Sequence, residues 1–253
     1  MTRIAPAPRA WFLDLDGTLV DIADTPHAVR RPDGLARLLR QLARRSDGAL
    51  AVISGRPLRE LDALLGTTRL PAAGLHGLER RSARGVVVRA RPDRRRHEPV
   101  WAWLTSQLER HPRLLGEAKG MTFAIHYRRA PRLAGYAHRL ANQALERLGP
   151  AYHRQPGKRV VELRPAGADK GDAIRAFLAE PPFRGRLPVF IGDDRTDEAG
   201  FAAVDAAGGI SIKVGAGPSR ARWRLADTDA VRGWLRDGRP APTPNRRRRR
   251  RHT

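Results

Sequence analysis

The sequence predicts an α/β fold: a doubly wound, Rossmann-like parallel sheet with a smaller α+β unit inserted into it. Three observations carry this expectation. Short apolar runs alternate with amphipathic helical stretches at both ends of the 253-residue chain, the pattern of parallel strands joined by crossover helices. Two of those runs end directly in carboxylates, Trp11-Phe12-Leu13 at Asp14 and the run 188–191 at Gly192-Asp193-Asp194. The middle of the chain has another texture, in the order β-α-β-α-β, which suggests a small sheet with helices on one side.

Taken in order, Trp11, Phe12 and Leu13 read as a buried strand leading into Asp14. A helix is expected from Pro32, because Leu35, Leu38, Leu39 and Leu42 recur on one face. Residues 49–53 form a second apolar run ending at Ser54-Gly55-Arg56, and 57–65 a short helix with Pro57 at its first position. A third apolar piece, 70–73, ends at Gly74-Leu75-His76-Gly77. In the middle, 86–88, 121–127 and 159–163 are strand-like, and 101–108 and 133–148 carry helical spacing. After Lys170 the first texture returns: helix 172–179, strand 188–191, helix 201–204, strand 210–214 and a last helix 229–235. The expected division is a core of 1–76 and 165–238, an inserted unit of 77–164, and a disordered Pro- and Arg-rich tail of 239–253.

Composition narrows the function. Hydrophobic residues make up 41% of the chain, enough to bury a core. No run approaches the ~20 apolar residues of a membrane span, and the first ten residues lack a signal-peptide core. With no cysteine, disulfides and thiolate metal sites are excluded, and a cytoplasmic protein is the simple expectation. The net charge of +23 admits two readings, polyanion binding or an arginine-rich composition. Six of the charges run from Arg246 to Arg251 behind a Pro-rich stretch, and such blocks read as disordered tails. Non-specific contact through that run is the one nucleic-acid interaction expected, since no basic motif is interleaved with aromatics. Nothing in the sequence sets an oligomeric state.

The chemistry lies where strands end. In open α/β sheets ligands bind at the carboxyl ends of the strands. If the strands before Asp14 and Asp193 are parallel neighbours, several carboxylates converge there. Such a cluster calls for a cation, and magnesium suits it, preferring oxygen ligands and taking one or two carboxylates plus phosphate and water.

Asp14-Leu15-Asp16-Gly17-Thr18 resembles the first signature of the haloacid dehalogenase-like phosphatases; Ser54 resembles the second, Lys170 the third and Gly192-Asp193-Asp194 the fourth. The resemblance implies a haloacid dehalogenase-like core and an aspartyl-phosphate mechanism. Asp14 would be the nucleophile, Asp16 the acid and base, Ser54 a donor to the phosphoryl group and Lys170 a charge partner. Thr18 would support the loop. Mg²⁺ would be held by Asp14, the Asp16 carbonyl and Asp193, with Asp194 and Asp197 behind them. An insertion between Ser54 and Lys170 resembles a type 2 cap.

A finer resemblance, to the trehalose-6-phosphate phosphatases, reaches to about Gly238. It rests on Asp24-Thr25-Pro26, on 74–79, on 119–128 around Met121-Thr122-Phe123, on 158–165 with Asp169-Lys170-Gly171, and on 192–198. It implies a small-molecule sugar phosphate as substrate, and hydrolysis of trehalose 6-phosphate to trehalose and phosphate as the last step of trehalose synthesis. Asp14, Asp16, Ser54, Gly55, His76, Lys119, His126, Lys158 and Glu162 would contact it. Three alternatives stay open: a phosphatase for sucrose phosphate or another glycosyl phosphate, a polyanion-binding protein on a phosphatase scaffold, and a catalytically silent regulatory domain.

Overall fold

The structure, a computed structural model, describes residues 8–66, 69–91 and 93–245. The arginine run expected to be a tail lies outside the described residues. Along the chain come strand β1 (Arg9–Leu13), helix α1 (Leu35–Arg45), β2 (Leu50–Ile53), α2 (Leu58–Leu65), β3 (Ala72–Gly74), β4 (Glu79–Arg81) and β5 (Val87–Arg89). Then follow α3 (Arg94–Leu108), β6 (Leu115–Ala118), β7 (Phe123–His126), α4 (Ala134–Leu148), β8 (Tyr152–Gly157) and β9 (Val160–Pro165). The remainder is α5 (Lys170–Leu178), β10 (Leu187–Gly192), α6 (Glu198–Ala206), β11 (Ile210–Val214), β12 (Trp223–Leu225), α7 (Thr228–Asp237) and β13 (Thr243–Pro244).

These elements form two compact units. The first holds the described residues through Ile22, Val29–Val88, and those from Asp169 onward; the second holds Ala23–Ala28 and Arg89–Ala168. Both crossings fall later than the expected 76 and 164. At the first, backbone pairing is the reason: β4 runs antiparallel to β3, with Ala73 opposite Arg80, so the chain past Gly77 extends the first unit's sheet.

In the first unit the described strands are ordered β13-β12-β11-β10-β1-β2-β3-β4-β5. From β12 to β3 the pairs are parallel. The central strands are apolar at successive positions because both faces are covered. On one face Trp11, Leu13, Leu50, Val52, Val189 and Ile191 pack with α1, α2 and α7. On the other, Phe12, Ala51, Ile53 and Phe190 meet Phe177 of α5 and Phe201 of α6. The α1 stripe is buried as its spacing requires, through Leu35, Leu38, Leu39 and Leu42, each worth about 1.5–3 kcal/mol.

Two local expectations change. Pro57 caps α2 from outside, with extended backbone angles, rather than opening it. The chain is also ordered beyond Gly238: β13 pairs with β12, and the Asn245 side chain donates to the Ala221 carbonyl at 2.8 Å. The segment 239–245 is therefore not the disordered tail expected from its prolines.

The second unit is an antiparallel sheet, ordered β6-β7-β9-β8, with α3 and α4 on one face. Phe123, Ile125, Val161 and Leu163 point to those helices and share a core with Trp101, Leu104, Leu140 and Leu148. Strands β6 and β8 carry no apolar alternation strong enough to be read from sequence. Strand β8 contains Pro156, which an edge strand tolerates because one side of its backbone has no ladder to serve. Among the described residues no helix is long and apolar enough to cross a membrane.

Candidate active site

Strand β1 is where the strand order reverses. The chain builds outward through β2 and β3 on one side and later through β10, β11 and β12 on the other. The crevice of such a sheet opens at the carboxyl ends of the two strands flanking the reversal, here β1 and β10. Asp14 leaves β1 with its amide donating to the Ile191 carbonyl at 2.9 Å, and Asp193 leaves β10 beside it.

The side chains there form one network. Lys170, first residue of α5, donates to Asp14 Oδ1 at 2.8 Å and to Asp197 Oδ1 at 2.6 Å. Thr18 donates from its hydroxyl to Asp14 Oδ2 at 2.9 Å. Asp197 Oδ2 accepts the backbone N–H groups of Asp193 and Asp194, at 2.9 and 2.8 Å. Asp14, Thr18, Lys170, Asp193 and Asp197 are all buried. Burial pushes the Asp14 carboxyl well above the usual range; Lys170 opposes the shift, while Asp197 and Asp193 add to it. Burial works against the Lys170 ammonium too, but Asp14 and Asp197 outweigh it and hold its pKa above the ordinary lysine value.

One carboxylate oxygen from each of Asp14, Asp193 and Asp197 lies within 4.8 Å of the others. The site fits a metal ion on two grounds: its donors are oxygens, as hard divalent cations require, and three buried carboxylates converge there around the single ammonium of Lys170 that bonds two of them. Asp197 has both oxygens engaged by Lys170 and the two amides, so it is suited to orienting its neighbours. Asp194 is drawn to local work, its side chain capping the turn at Arg195.

Asp16 stands apart from that network. Arg56 grips it with two bonds, Nε to Oδ2 at 2.7 Å and a terminal nitrogen to Oδ1 at 2.8 Å. The Arg56 amide in turn donates to Ser54 Oγ at 3.1 Å. Ser54 directly follows β2, and its carbonyl accepts the His76 amide at 2.9 Å. His76 packs so closely on Gly55 that a Cβ there would meet its Nε2 at 2.6 Å. His76 also has a positive φ of 55°, uncommon for a residue with a side chain. The structure thus joins Ser54, Gly55 and His76 at the end of the strand neighbouring β1.

In the second unit the sheet face away from α3 and α4 is polar. Glu117, Ala124, Glu162 and Gln155 lie in register across its four strands. Lys119 Nζ sits 3.4 Å from Glu117 and 3.9 Å from Glu162, and His126 Nε2 bonds Glu117 at 2.8 Å. Burial alone would raise the Glu117 pKa, but His126 and Lys119 outweigh it and hold the carboxyl below the usual range. Lys158 is in the exposed turn between β8 and β9, where its carbonyl accepts from Arg128 at 3.0 Å.

Sequence reasoning did not single out Arg56, Glu117 or a third residue near the cluster, Lys213, whose ammonium bonds the Asp193 carbonyl. Arg56 follows the Ser-Gly pair it serves, and Glu117 of β6 stands two residues before Lys119, which directly follows that strand. Lys213 is a buried lysine in the apolar strand Ile210–Val214; a charge in such a run is its signal.

Comparison with known proteins agrees with this geometry. A family model described as trehalose-phosphatase matches residues 12–229. A trehalose-6-phosphate phosphatase of Escherichia coli K12 is 47% identical over 230 residues, covering 90% of this chain and 86% of its own. Among solved structures, the C-terminal domain of a Candida albicans trehalose-6-phosphate phosphatase superposes with a TM-score of 0.79 at 23% identity, over 90% of this chain and 91% of that one. A haloacid dehalogenase-like hydrolase from Bacillus subtilis shares the fold with a TM-score of 0.63 at 15% identity, over 90% and 99% of the two chains. With a matching model that spans both ends of the crevice, this chain belongs to the trehalose-phosphatase family.

Proposed function

We propose that this chain hydrolyses trehalose 6-phosphate to trehalose and phosphate through an aspartyl phosphate on Asp14, with magnesium as the divalent ion. The observation that most supports the reaction is the buried Asp14 carboxylate, bonded to Lys170 and crowded by Asp193 and Asp197 at the strand reversal. The sugar is proposed from the 47% identity to the Escherichia coli enzyme.

An oxygen of Asp14 attacks phosphorus, and the bond from phosphorus to the sugar oxygen breaks with its electron pair leaving on that oxygen. Asp16 supplies the proton the sugar oxygen takes up. Arg56 bonds each Asp16 oxygen once, and the second lone pair of either oxygen is the one that carries the proton. Water then attacks the phosphoenzyme, giving its proton to Asp16 and freeing Asp14. Lys170 keeps Asp14 aligned and balances the charge on the phosphoryl oxygens, and Ser54 donates to one of them.

Asp14, the Asp16 carbonyl and Asp193 are the proposed ligands of the ion, oriented by Asp197 and Asp194. A bound Mg²⁺ contributes positive charge toward the phosphoryl oxygens. The all-oxygen donor set favours Mg²⁺ over softer ions. Gly55 and His76 are proposed to border the phosphate. In the second unit, the proposed type 2 cap, Lys119, His126, Lys158 and Glu162 are proposed to recognise the sugar, joined by Glu117 on the same face.

The test is phosphate release from trehalose 6-phosphate, sucrose 6-phosphate and glucose 6-phosphate, each with Mg²⁺ and with chelator. Magnesium-dependent release from trehalose 6-phosphate alone is expected. Equal turnover of all three would defeat the sugar assignment, and full activity in chelator would defeat the ion.

A further inference from the structure

Lys213 is a second buried ammonium beside the carboxylate cluster. It lies on β11, paired in register with Gly192 of β10, and only 4% of it is exposed. Burying an ammonium is costly unless its donors are satisfied. Its Nζ donates to the main-chain carbonyl of Asp193 and, at 2.8 Å, to that of Val214.

The Asp193 carbonyl has just left the strand. Past the end of a parallel ladder a backbone acceptor must find another donor, and Lys213 reaches across from the neighbouring strand to supply one. The N–H of the same residue is held by Asp197 Oδ2 at 2.9 Å. The peptide groups on both sides of the Asp193 Cα are therefore clamped by two different buried side chains. With the backbone fixed on both sides, the Asp193 carboxylate keeps the direction that sets it beside Asp14.

We infer that Lys213 is a positioning residue for the divalent-ion site: by gripping the Asp193 carbonyl it aims the Asp193 carboxylate at the ion. The inference rests on the reading of Asp193 as a ligand. It has a consequence opposite in sign to that of charge alone. Removing a nearby positive charge would, by Coulomb's law, tighten the hold on a divalent cation. Removing a positioning bond loosens it.

The experiment is calorimetric titration of the metal-free full chain with Mg²⁺ and Mn²⁺, in the absence of substrate. Wild type, Lys213→Met and Asp193→Asn are compared, and each melting temperature is recorded in chelator and in saturating ion. Lys213→Met is expected to bind the ion at least tenfold more weakly, with a smaller ion-induced rise in melting temperature. In steady-state assays its half-saturating Mg²⁺ should rise similarly, with KM for trehalose 6-phosphate at saturating ion within about twofold of wild type. Unchanged or tighter ion binding overturns the inference, as does a lower melting temperature in chelator with ion affinity intact, which marks a structural role only. If Asp193→Asn binds the ion like wild type, the ligand assignment itself fails and takes this inference with it. Loss in Asp193→Asn with retention in Lys213→Met removes the inference alone. Should Lys213→Met not fold, Lys213→Gln, which keeps a donor on a shorter chain, is titrated the same way against the same criteria.

Discussion

The Asp193 carboxylate lies against the α-carbon of Gly17: a Cβ on Gly17 would meet Asp193 Oδ2 at 2.2 Å. Gly17 also has φ +82°, a backbone conformation that a residue with a Cβ adopts only with strain. The substitution Gly17→Ala therefore drives a methyl into a proposed metal ligand and strains the loop carrying Asp14 and Asp16. It is expected to lower kcat/KM by about a hundredfold or more, with a stability loss of about 1–3 kcal/mol. Steady-state kinetics beside urea denaturation measures both. Near-normal activity would mean that Asp193 can move away without cost.

Asp14→Asn separates catalysis from stability. The amide can keep its oxygen on the Lys170 ammonium and offer its N–H to the Thr18 hydroxyl, so the packing survives. An amide is a poor nucleophile, and turnover is expected to drop about a thousandfold or more. Because the native carboxyl resists ionisation where it is buried, the neutral variant should melt at a higher temperature than wild type in chelator. Retained turnover would refute Asp14 as nucleophile.

Glu117→Gln, Lys119→Met and Glu162→Gln test the polar face of the second unit. A hydrogen bond to a charged group is worth about 1.5–3 kcal/mol, a rise of roughly ten- to a hundredfold in KM for trehalose 6-phosphate. Turnover of a small ester such as p-nitrophenyl phosphate should stay within about twofold. An equal loss on both substrates would assign these residues to folding or catalysis instead of sugar recognition. Lys158, exposed in its turn, is expected to give a smaller effect than Glu162.

The second unit should be acid-sensitive. His97 is buried against Trp101 and Tyr152, with ring centroids 5.5 and 6.3 Å away, and neither ring nitrogen has a hydrogen-bond partner among the described residues. Burial, aided by Arg94, outweighs Glu98 and Asp93 and holds its pKa below the ordinary value. Burial also lowers His153, together with Arg164, and His138, together with Arg154. The unfolded chain takes up these protons below about pH 6.5 and the folded chain resists them. Their contribution to stability is thus complete above about pH 6.5 and is lost as the pH falls through the depressed folded values. Melting temperature is expected to fall as the pH drops below about 6.5, and less steeply in His97→Phe. Identical slopes in the two proteins would exclude His97 as a source.

Much of the fold was legible because its signals are local. The leucine stripe of α1 and the unbroken apolar run of β2 each declare an element within a few residues, since period 3.6 and continuous burial are properties of short segments. The strands that escaped notice, β4, β6, β8, β12 and β13, are short, polar or proline-bearing, and the backbone ladder of a neighbour holds them rather than their own pattern. The first crossing between units moved for the same reason, because β4 pairs with β3.

The sequence by itself determined the order of Asp14, Asp16, Ser54, Lys170 and Asp193, each at a strand or loop end, and the family that order points to. Only the tertiary structure decided the connections among them. That Lys170 bridges Asp14 to Asp197, that Arg56 takes both oxygens of Asp16, that Glu117 joins Lys119 and His126, and that Lys213 holds the Asp193 carbonyl depend on which strands are neighbours and in what register. A residue's type is written in the chain, but its partner is chosen by the fold, because hydrogen bonds and ion pairs act over about 3 Å between groups that can lie a hundred residues apart.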